Sequence, residues 1–202
     1  MDFSTLTPTR NVLPRDEEDF HGTDCAGIIA AQGQNRKCGI GIARNVSLAG
    51  IRLQLNATTD IEEAAAFSYG MQATDIYSIS WGPGDAGTTL SGPGPLTNQS
   101  LATCTAKGRG GKGNLYVMAS GNGGSIDGCN FDGYANSPFG IAVSAITGSG
   151  TSPHYAEPCA ATLTSAYSSL SADVAFLAIV PCSFCLVVCV NIISKKKIKI
   201  KN

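Results

Sequence analysis

Leu115-Tyr116-Val117-Met118-Ala119 runs directly into Ser120-Gly121-Asn122-Gly123-Gly124. Five residues without a charge, closed by a glycine turn, have the length and composition of a short buried strand. Outward in both directions the chain repeats this unit. Ile76 to Trp81 is a second apolar run, and Gly82-Pro83-Gly84 ends it. Between the two, Leu96 to Lys107 carries a weak helical pattern. Upstream, Thr59-Asp60-Ile61-Glu62 is a capping box, because the Thr hydroxyl and the Glu carboxylate can each satisfy an orphan backbone N–H. The helix it opens runs through Ala64-Ala65-Ala66 toward Met71. Val46 to Leu53, Ile141 to Ile146 and Thr162 to Tyr167 supply further strands, and residues 24 to 32 suit a short buried helix. Strands alternating with helices at this spacing predict an α/β fold, a mainly parallel sheet with helices on both faces. In such sheets functional residues collect at strand C-terminal ends, where Trp81-Gly82 and Ser120-Gly121-Asn122 both stand.

Composition narrows the class. The chain has 202 residues, and all 24 glycines fall between Gly22 and Gly150. The globular part is therefore read as 21–170, preceded by a polar loop over 1–20 and followed by a different segment over 171–202. The net charge of −1 hides an asymmetry, since removing Lys195, Lys196, Lys197, Lys199 and Lys201 takes it to −6. An acidic body favours a basic partner and disfavours nucleic acid. Eight cysteines with only two histidines, and no paired C-x-x-C units, do not form a zinc pattern. Three sequons (Asn45-Val46-Ser47, Asn56-Ala57-Thr58, Asn98-Gln99-Ser100) and scattered cysteines point to an oxidising compartment, although Met1 to Arg15 does not read as a signal peptide. Val174 to Ile193 is twenty residues without a charge, long enough to span a bilayer, with lysines behind it. Its abrupt change in composition fits read-through sequence at a gene end better than an anchor.

Two glycine motifs fail as nucleotide sites. In Gly108-Arg109-Gly110-Gly111-Lys112-Gly113 a P-loop needs glycine at Ala106 and Ser or Thr at Gly113. After Gly39-Ile40-Gly41, the run Ile42-Ala43-Arg44 leaves out the third dinucleotide glycine. Both read as turns.

A third feature carries chemistry. His21-Gly22-Thr23-Asp24-Cys25-Ala26-Gly27 places an imidazole at the mouth of a small-residue helix. A positioned base together with the glycine-framed amide of Asn122 makes two parts of an acyl-transfer site. Taken in order, His21-Gly22-Thr23 with Cys25-Ala26-Gly27, Ser80-Trp81-Gly82-Pro83, Ala119 to Gly124, and Cys129-Asn130-Phe131-Asp132-Gly133-Tyr134-Ala135-Asn136-Ser137 form a series. It resembles the catalytic domain of subtilisin-like serine proteases of the kexin/furin branch, over about residues 16 to 169. The implied fold is a subtilisin-like sheet, incomplete at both ends.

The resemblance implies roles residue by residue. His21 matches the general base and Asn122 the oxyanion-hole amide. Asp132, with Trp81 and Tyr134 near it, matches the pocket acid for a basic side chain, and Glu18 and Asp19 match the acids of the next subsite. Asp85, Asp127 and Glu157 match carboxylates that hold Ca²⁺, and Asn35 falls near a second calcium loop. Cys129 and Cys159 match a disulfide, and Cys38 a cysteine whose partner lies farther on. The implied partners are precursor polypeptides with basic residues, and the implied location is the secretory pathway. The aspartate that orients the histidine is expected upstream in an Asp-Asp-Gly context that Asp2 lacks. The nucleophilic serine is expected downstream in Gly-Thr-Ser-Ala, a context absent around Ser165, Ser168 and Ser169. Ala57 and Ser91 stand where relatives carry acids for a more distant basic residue. These 202 residues alone are therefore expected to be inactive. A competing expectation is a non-catalytic, membrane-anchored binder of basic peptides.

Overall fold

The computed structural model describes residues 21–36, 39–53, 58–168 and 186–191. In chain order they form α1 (His21–Ala30), β1 (Ser47–Arg52), α2 (Asp60–Ser68), β2 (Ile76–Ile79), α3 (Pro95–Gly111), β3 (Leu115–Ala119), β4 (Gly140–Ile146), β5 (Thr162–Tyr167) and β6 (Leu186–Asn191). One sheet holds the strands in the order β1-β6-β2-β3-β4-β5. β2, β3, β4 and β5 are parallel neighbours, whereas β6 runs antiparallel to both β1 and β2.

The expected α/β architecture is present, and its bounds follow local signals. Thr59 Oγ1 accepts from the Glu62 backbone N–H at 3.4 Å, and the Thr59 N–H donates to Glu62 Oε2 at 2.8 Å. The capping box thus starts α2 as read. A Thr59→Ala variant is expected to lose about 1 kcal/mol, measured by urea unfolding. α3 begins at a glycine N-cap that has no side chain, so Asp60 reaches across from α2 instead. Its carboxylate accepts from Leu96 N and Thr97 N, each at 2.9 Å. These bonds, led by that from Leu96, hold its pKa below the usual carboxylate range. Helical φ/ψ stops at Lys107, because Gly108, Arg109 and Gly110 leave it. Arg109 sits at φ 55° and donates from Nε to Asp75 Oδ1 at 2.8 Å, tying the end of α3 to the strand entrance of β2.

Alternation along the strands selects the core face. Tyr77 and Ile79 pair in register with Tyr116 and Met118, and all four are at most 1% exposed. α2 and α3 pack together over this face through Phe67, Ala66, Leu101 and Cys104. Tyr116 stacks on Tyr77 at 4.7 Å and on Phe67 at 5.9 Å. Both phenols are satisfied, Tyr77 by the Tyr69 carbonyl at 2.8 Å and Tyr116 by the Phe67 carbonyl at 2.6 Å. Buried aromatics with paired hydroxyls contribute area without an unmet polar group. α1 packs on β6, and its Cys25 hydrogen-bonds Ser80. Ser80 alternates with Tyr77 and Ile79, so α1 serves the opposite face.

Two expectations change. The helix read at 24 to 32 begins three residues earlier, at His21, and only its Gly22 is buried. Its alanines and glycines offer little area to bury. Leu186–Asn191, read inside an apolar run of bilayer length, is instead a sheet strand, as its valine-rich Leu-Val-Val-Cys-Val allows. The remainder of Val174 to Ile193 lies outside the described residues. Among the described residues no helix is long and apolar enough to cross a membrane.

Candidate active site and acidic cluster

β2 and β3 end side by side, and the turns after them build the site. His21 opens α1, and its Nε2 lies 3.6 Å from the Cys25 thiol one turn later. Because Cys25 also hydrogen-bonds Ser80, the helix start is held at the C-terminal end of β2. Burial pushes the Cys25 thiol up, keeping it protonated and a poor nucleophile at neutral pH. Asn122 follows β3, exposed in a turn that Gly121 makes at φ 96°. Base and amide thus stand at the same end of the sheet.

Beside them three carboxylates converge. One oxygen from each of Asp85, Asp127 and Glu157 lies within 4.8 Å of the others. Backbone N–H groups aim them. Gly87 N donates to Asp127 Oδ2 at 2.9 Å, Gly128 N to Asp127 Oδ1 at 2.7 Å, and Gly123 N to Glu157 Oε1 at 2.9 Å. A Cβ on Gly121 would collide with the Glu157 carboxylate, and one on Gly87 with the Ile126 carbonyl. The glycines are there because backbone must pass where a side chain cannot. Burial first, then the charges of Asp127 and Asp85, raise the Glu157 pKa. Cys129 and Cys159 form a disulfide whose ends stand two residues from Asp127 and Glu157.

Asp132 is the third element. Its Oδ1 accepts from Tyr134 N at 2.7 Å and Ala135 N at 3.2 Å. Its Oδ2 faces Gly82, where an added Cβ would lie 2.7 Å away. Burial outweighs those two N–H bonds and raises its pKa. Trp81 and Tyr134 meet edge-on at 5.0 Å. The result is a half-buried carboxylate beside the glycine that follows β2, walled by an aromatic pair.

A family model described as the subtilase family matches residues 7–183. The chain belongs to the subtilase family. It is 48% identical over 161 residues to Protease KEX1 of Kluyveromyces lactis, covering 79% of this chain and 21% of that protein. Kexin of Saccharomyces cerevisiae is 45% identical over 161 residues, covering 79% and 20%. Neuroendocrine convertase 2 of Homo sapiens is 47% identical over 172 residues, covering 83% and 27%. This chain therefore spans about a fifth to a quarter of the length of these relatives. Among solved structures, MycP1 with its N-terminal propeptide removed aligns with a TM-score of 0.54 at 16% identity, covering 82% of this chain and 57% of that one. At that identity the likeness speaks for the fold. The kexin and convertase likeness named from the motifs is thus shown, and the matched stretch extends past 16–169 at both ends.

In this subtilase the structure adds a residue that sequence reading missed. Glu63 is 8% exposed, its Oε1 has no partner among the described residues, and its carboxylate hydrogen-bonds the Tyr134 hydroxyl. Burial raises its pKa. It lines a cavity of about 280 Å³ with Leu53, Thr58, Asp60, Trp81, Gly92, Gly94 and Tyr134. Ser91, the neighbour of the cavity-lining Gly92, pairs with Asp132 in a parallel backbone bridge. The available signal was helical spacing, because Glu63 and the buried Phe67 share one face. A Gly-Thr-Ser triplet does occur in the chain, at Gly150-Thr151-Ser152. Pro153 follows it, no helix begins there, and Thr151 instead bonds Thr147 Oγ1 at 2.8 Å. It is a hydroxyl-stabilised loop and lacks the strand-turn-helix of a nucleophile elbow. Asn35 is exposed in the loop after α1. Glu18, Asp19, Cys38 and Ala57 lie outside the described residues.

Proposed function

We propose that this chain is part of a calcium-dependent serine endopeptidase of the secretory pathway that cleaves precursor polypeptides after basic residues. The observation that carries the reading is the Asp132 carboxylate, half-buried at the end of β2 beside Trp81 and on the same sheet edge as His21 and Asn122. A guanidinium entering there meets a desolvated acceptor, where a charge-assisted hydrogen bond is strong. The Glu63 pocket, with Asp60 at its wall, offers a second basic side chain the same chemistry.

His21 Nε2 is the proton acceptor for a serine nucleophile and returns the proton to the leaving amine. Any such hydroxyl displaces the Cys25 thiol from that nitrogen. Asn122 donates its side-chain N–H to the oxygen that gains charge, worth about 3 kcal/mol of barrier. Asp85, Asp127 and Glu157 are hard oxygen donors of the kind Ca²⁺ takes, and their mutual repulsion calls for a cation. Asp85, Asp127 and Glu157 would hold such an ion, which would offset two of their three negative charges and brace the Asn122 turn, with no part in bond cleavage. Among these 202 residues, base and amide lack a serine in a Gly-Thr-Ser-Ala context. An incomplete triad falls far below enzyme rates.

The test uses the single tryptophan, Trp81, as reporter. An Arg-Arg peptide is expected to change its fluorescence on binding, with affinity falling about 10- to 100-fold in Asp132→Asn. Hydrolysis is expected to be undetectable. Turnover that disappears in His21→Ala would overturn the inactivity, and equal binding by wild type and Asp132→Asn would overturn the pocket.

Calcium dependence has its own signature in pH. Asp132, Glu157 and Glu63 have folded-state pKa values above their unfolded ones. In that case the folded state binds more protons, so without a cation stability falls as pH rises from the ordinary carboxylate range through the raised values. Asp60 and Glu62 are shifted down and act in a lower window, losing their contribution as pH falls through their folded values. Calcium competes with protons for Glu157, so its stabilisation grows as pH rises. Melting temperature against pH, in chelator and in calcium, is expected to diverge toward neutral pH. Parallel curves would rule the ion site out.

A further inference from the structure

Asn122-Gly123 is the only Asn-Gly pair in the chain, and that pair carries a chemical hazard. Glycine has no Cβ to obstruct approach, so its backbone nitrogen can reach the side-chain carbonyl carbon of the asparagine before it. In that reaction the Gly123 nitrogen gives up its proton and bonds to Asn122 Cγ. The Cγ–Nδ2 bond breaks, and Nδ2 leaves as ammonia carrying that proton. Water then opens the succinimide ring at either of its two C–N bonds, leaving aspartate or isoaspartate. Aspartate is an acceptor only and cannot donate to a developing oxyanion.

The structure shows why the pair is there. A Cβ on Gly123 would collide with the Asp127 side chain and lie 3.0 Å from the Asp85 carbonyl oxygen, so the acidic cluster demands glycine at 123. The oxyanion role proposed above demands a carboxamide at 122. Asn122 is exposed, and among the described residues no hydrogen bond holds its side chain. The restraint lies on the attacking atom instead, since Gly123 N donates to Glu157 Oε1 at 2.9 Å.

We propose that the buried Glu157 carboxylate, by holding the Gly123 N–H, guards Asn122 against self-deamidation. A carboxylate is far too weak a base to take an amide proton, so the bond keeps that proton on nitrogen and keeps the nitrogen turned from Asn122 Cγ. It is a charge-assisted bond, stronger than a neutral one. The neighbouring Asp85 and Asp127 carboxylates oppose any further negative charge on the nitrogen. Only the consequence for the oxyanion rests on the proposed activity. The guard itself is read as ammonia loss, so it fails or holds separately from peptide binding.

The chain is incubated at neutral pH and body temperature, native and in urea, and mapped by peptide mass spectrometry for amide-to-acid conversion. Asn122 is expected to convert about 10- to 100-fold more slowly in the native chain than in urea, the range that one hydrogen bond to a charged group supplies. Glu157→Ala is expected to lose most of that protection. The exposed Asn136-Ser137 pair reports unfolding, because its rate rises only if the fold opens. Where Glu157→Ala opens the fold, two charge-matched variants decide. Glu157→Gln and Asp85→Asn each remove one negative charge from the cluster, but only the first weakens the bond to Gly123 N, so it is expected to convert Asn122 several-fold faster. Equal native and urea rates would overturn the proposal. So would a folded Glu157→Ala that converts at the wild-type rate, or equal rates in the charge-matched pair.

Discussion

Removing the Cys129–Cys159 bridge, as a Cys129→Ser/Cys159→Ser double variant, is expected to cost about 3–4 kcal/mol and to weaken the acidic cluster in the same step. The bridged residues are 30 apart in sequence, and closing a loop of that size removes entropy of this order from the unfolded chain. The coupling to the cluster follows from position. Each cysteine stands two residues from one of the three carboxylates, Asp127 on one side and Glu157 on the other. Without the bridge, the 120s loop and the 150s loop meet chiefly through Gly124 N donating to the Tyr155 carbonyl at 2.9 Å and Gly123 N to Glu157. Three like charges then drift apart to relieve their repulsion, and a cation loses its preformed cage. The core of Tyr77, Tyr116 and Phe67 lies elsewhere and is left intact. Cys25 and Cys104 have raised pKa values through burial, so neither exchanges readily with the bridge in wild type. Urea unfolding and calcium calorimetry on the double variant are the measurements. Unchanged calcium affinity alongside lost stability would separate the bridge from the site.

The parts legible in the sequence were those encoded locally. Thr59 and Glu62 are three residues apart and announce α2; the glycines after Ala119 end β3 where the structure ends it. Leu186–Asn191 was not legible, because apolar length alone does not tell a bilayer span from a strand whose partners, β1 and β2, lie more than a hundred residues earlier. Asp60 reads as an N-terminal helix residue of α2, yet it also caps α3, some 36 residues on. No local pattern shows that, since Gly94 offers nothing to read. The acidic trio spans 42 and 30 residues between its members, and no spacing in the chain encodes a 4.8 Å cluster. It was accessible only through motif likeness. Glu63 escaped because surface glutamates are common in first helical turns, and its burial and its hydrogen bond with Tyr134 are set by tertiary packing.

Gly121→Ala is expected to cost about 3 kcal/mol or more. Two costs combine there. The backbone φ of 96° is one that side-chain-bearing residues seldom adopt, worth about 1–3 kcal/mol. The new Cβ also meets the Glu157 carboxylate, which is buried and held by Gly123 N, so it has nowhere inexpensive to go. Overpacking of this kind adds about 1–3 kcal/mol. Gly110→Ala separates the two terms. That glycine has φ 66° and nothing within 4 Å of an added Cβ, so its substitution reports backbone strain alone. The excess of Gly121→Ala over Gly110→Ala is therefore the contact with Glu157, and a Glu157→Ser change made on top of Gly121→Ala is expected to recover it. Should the two alanine variants lose equal stability, Glu157 is not pressed against the turn, and the coupling between the cation cluster and the position of Asn122 fails with it. Should the excess appear, one carboxylate fixes both the ion site and the turn that presents the amide, because the space that glycine leaves empty is the space Glu157 fills.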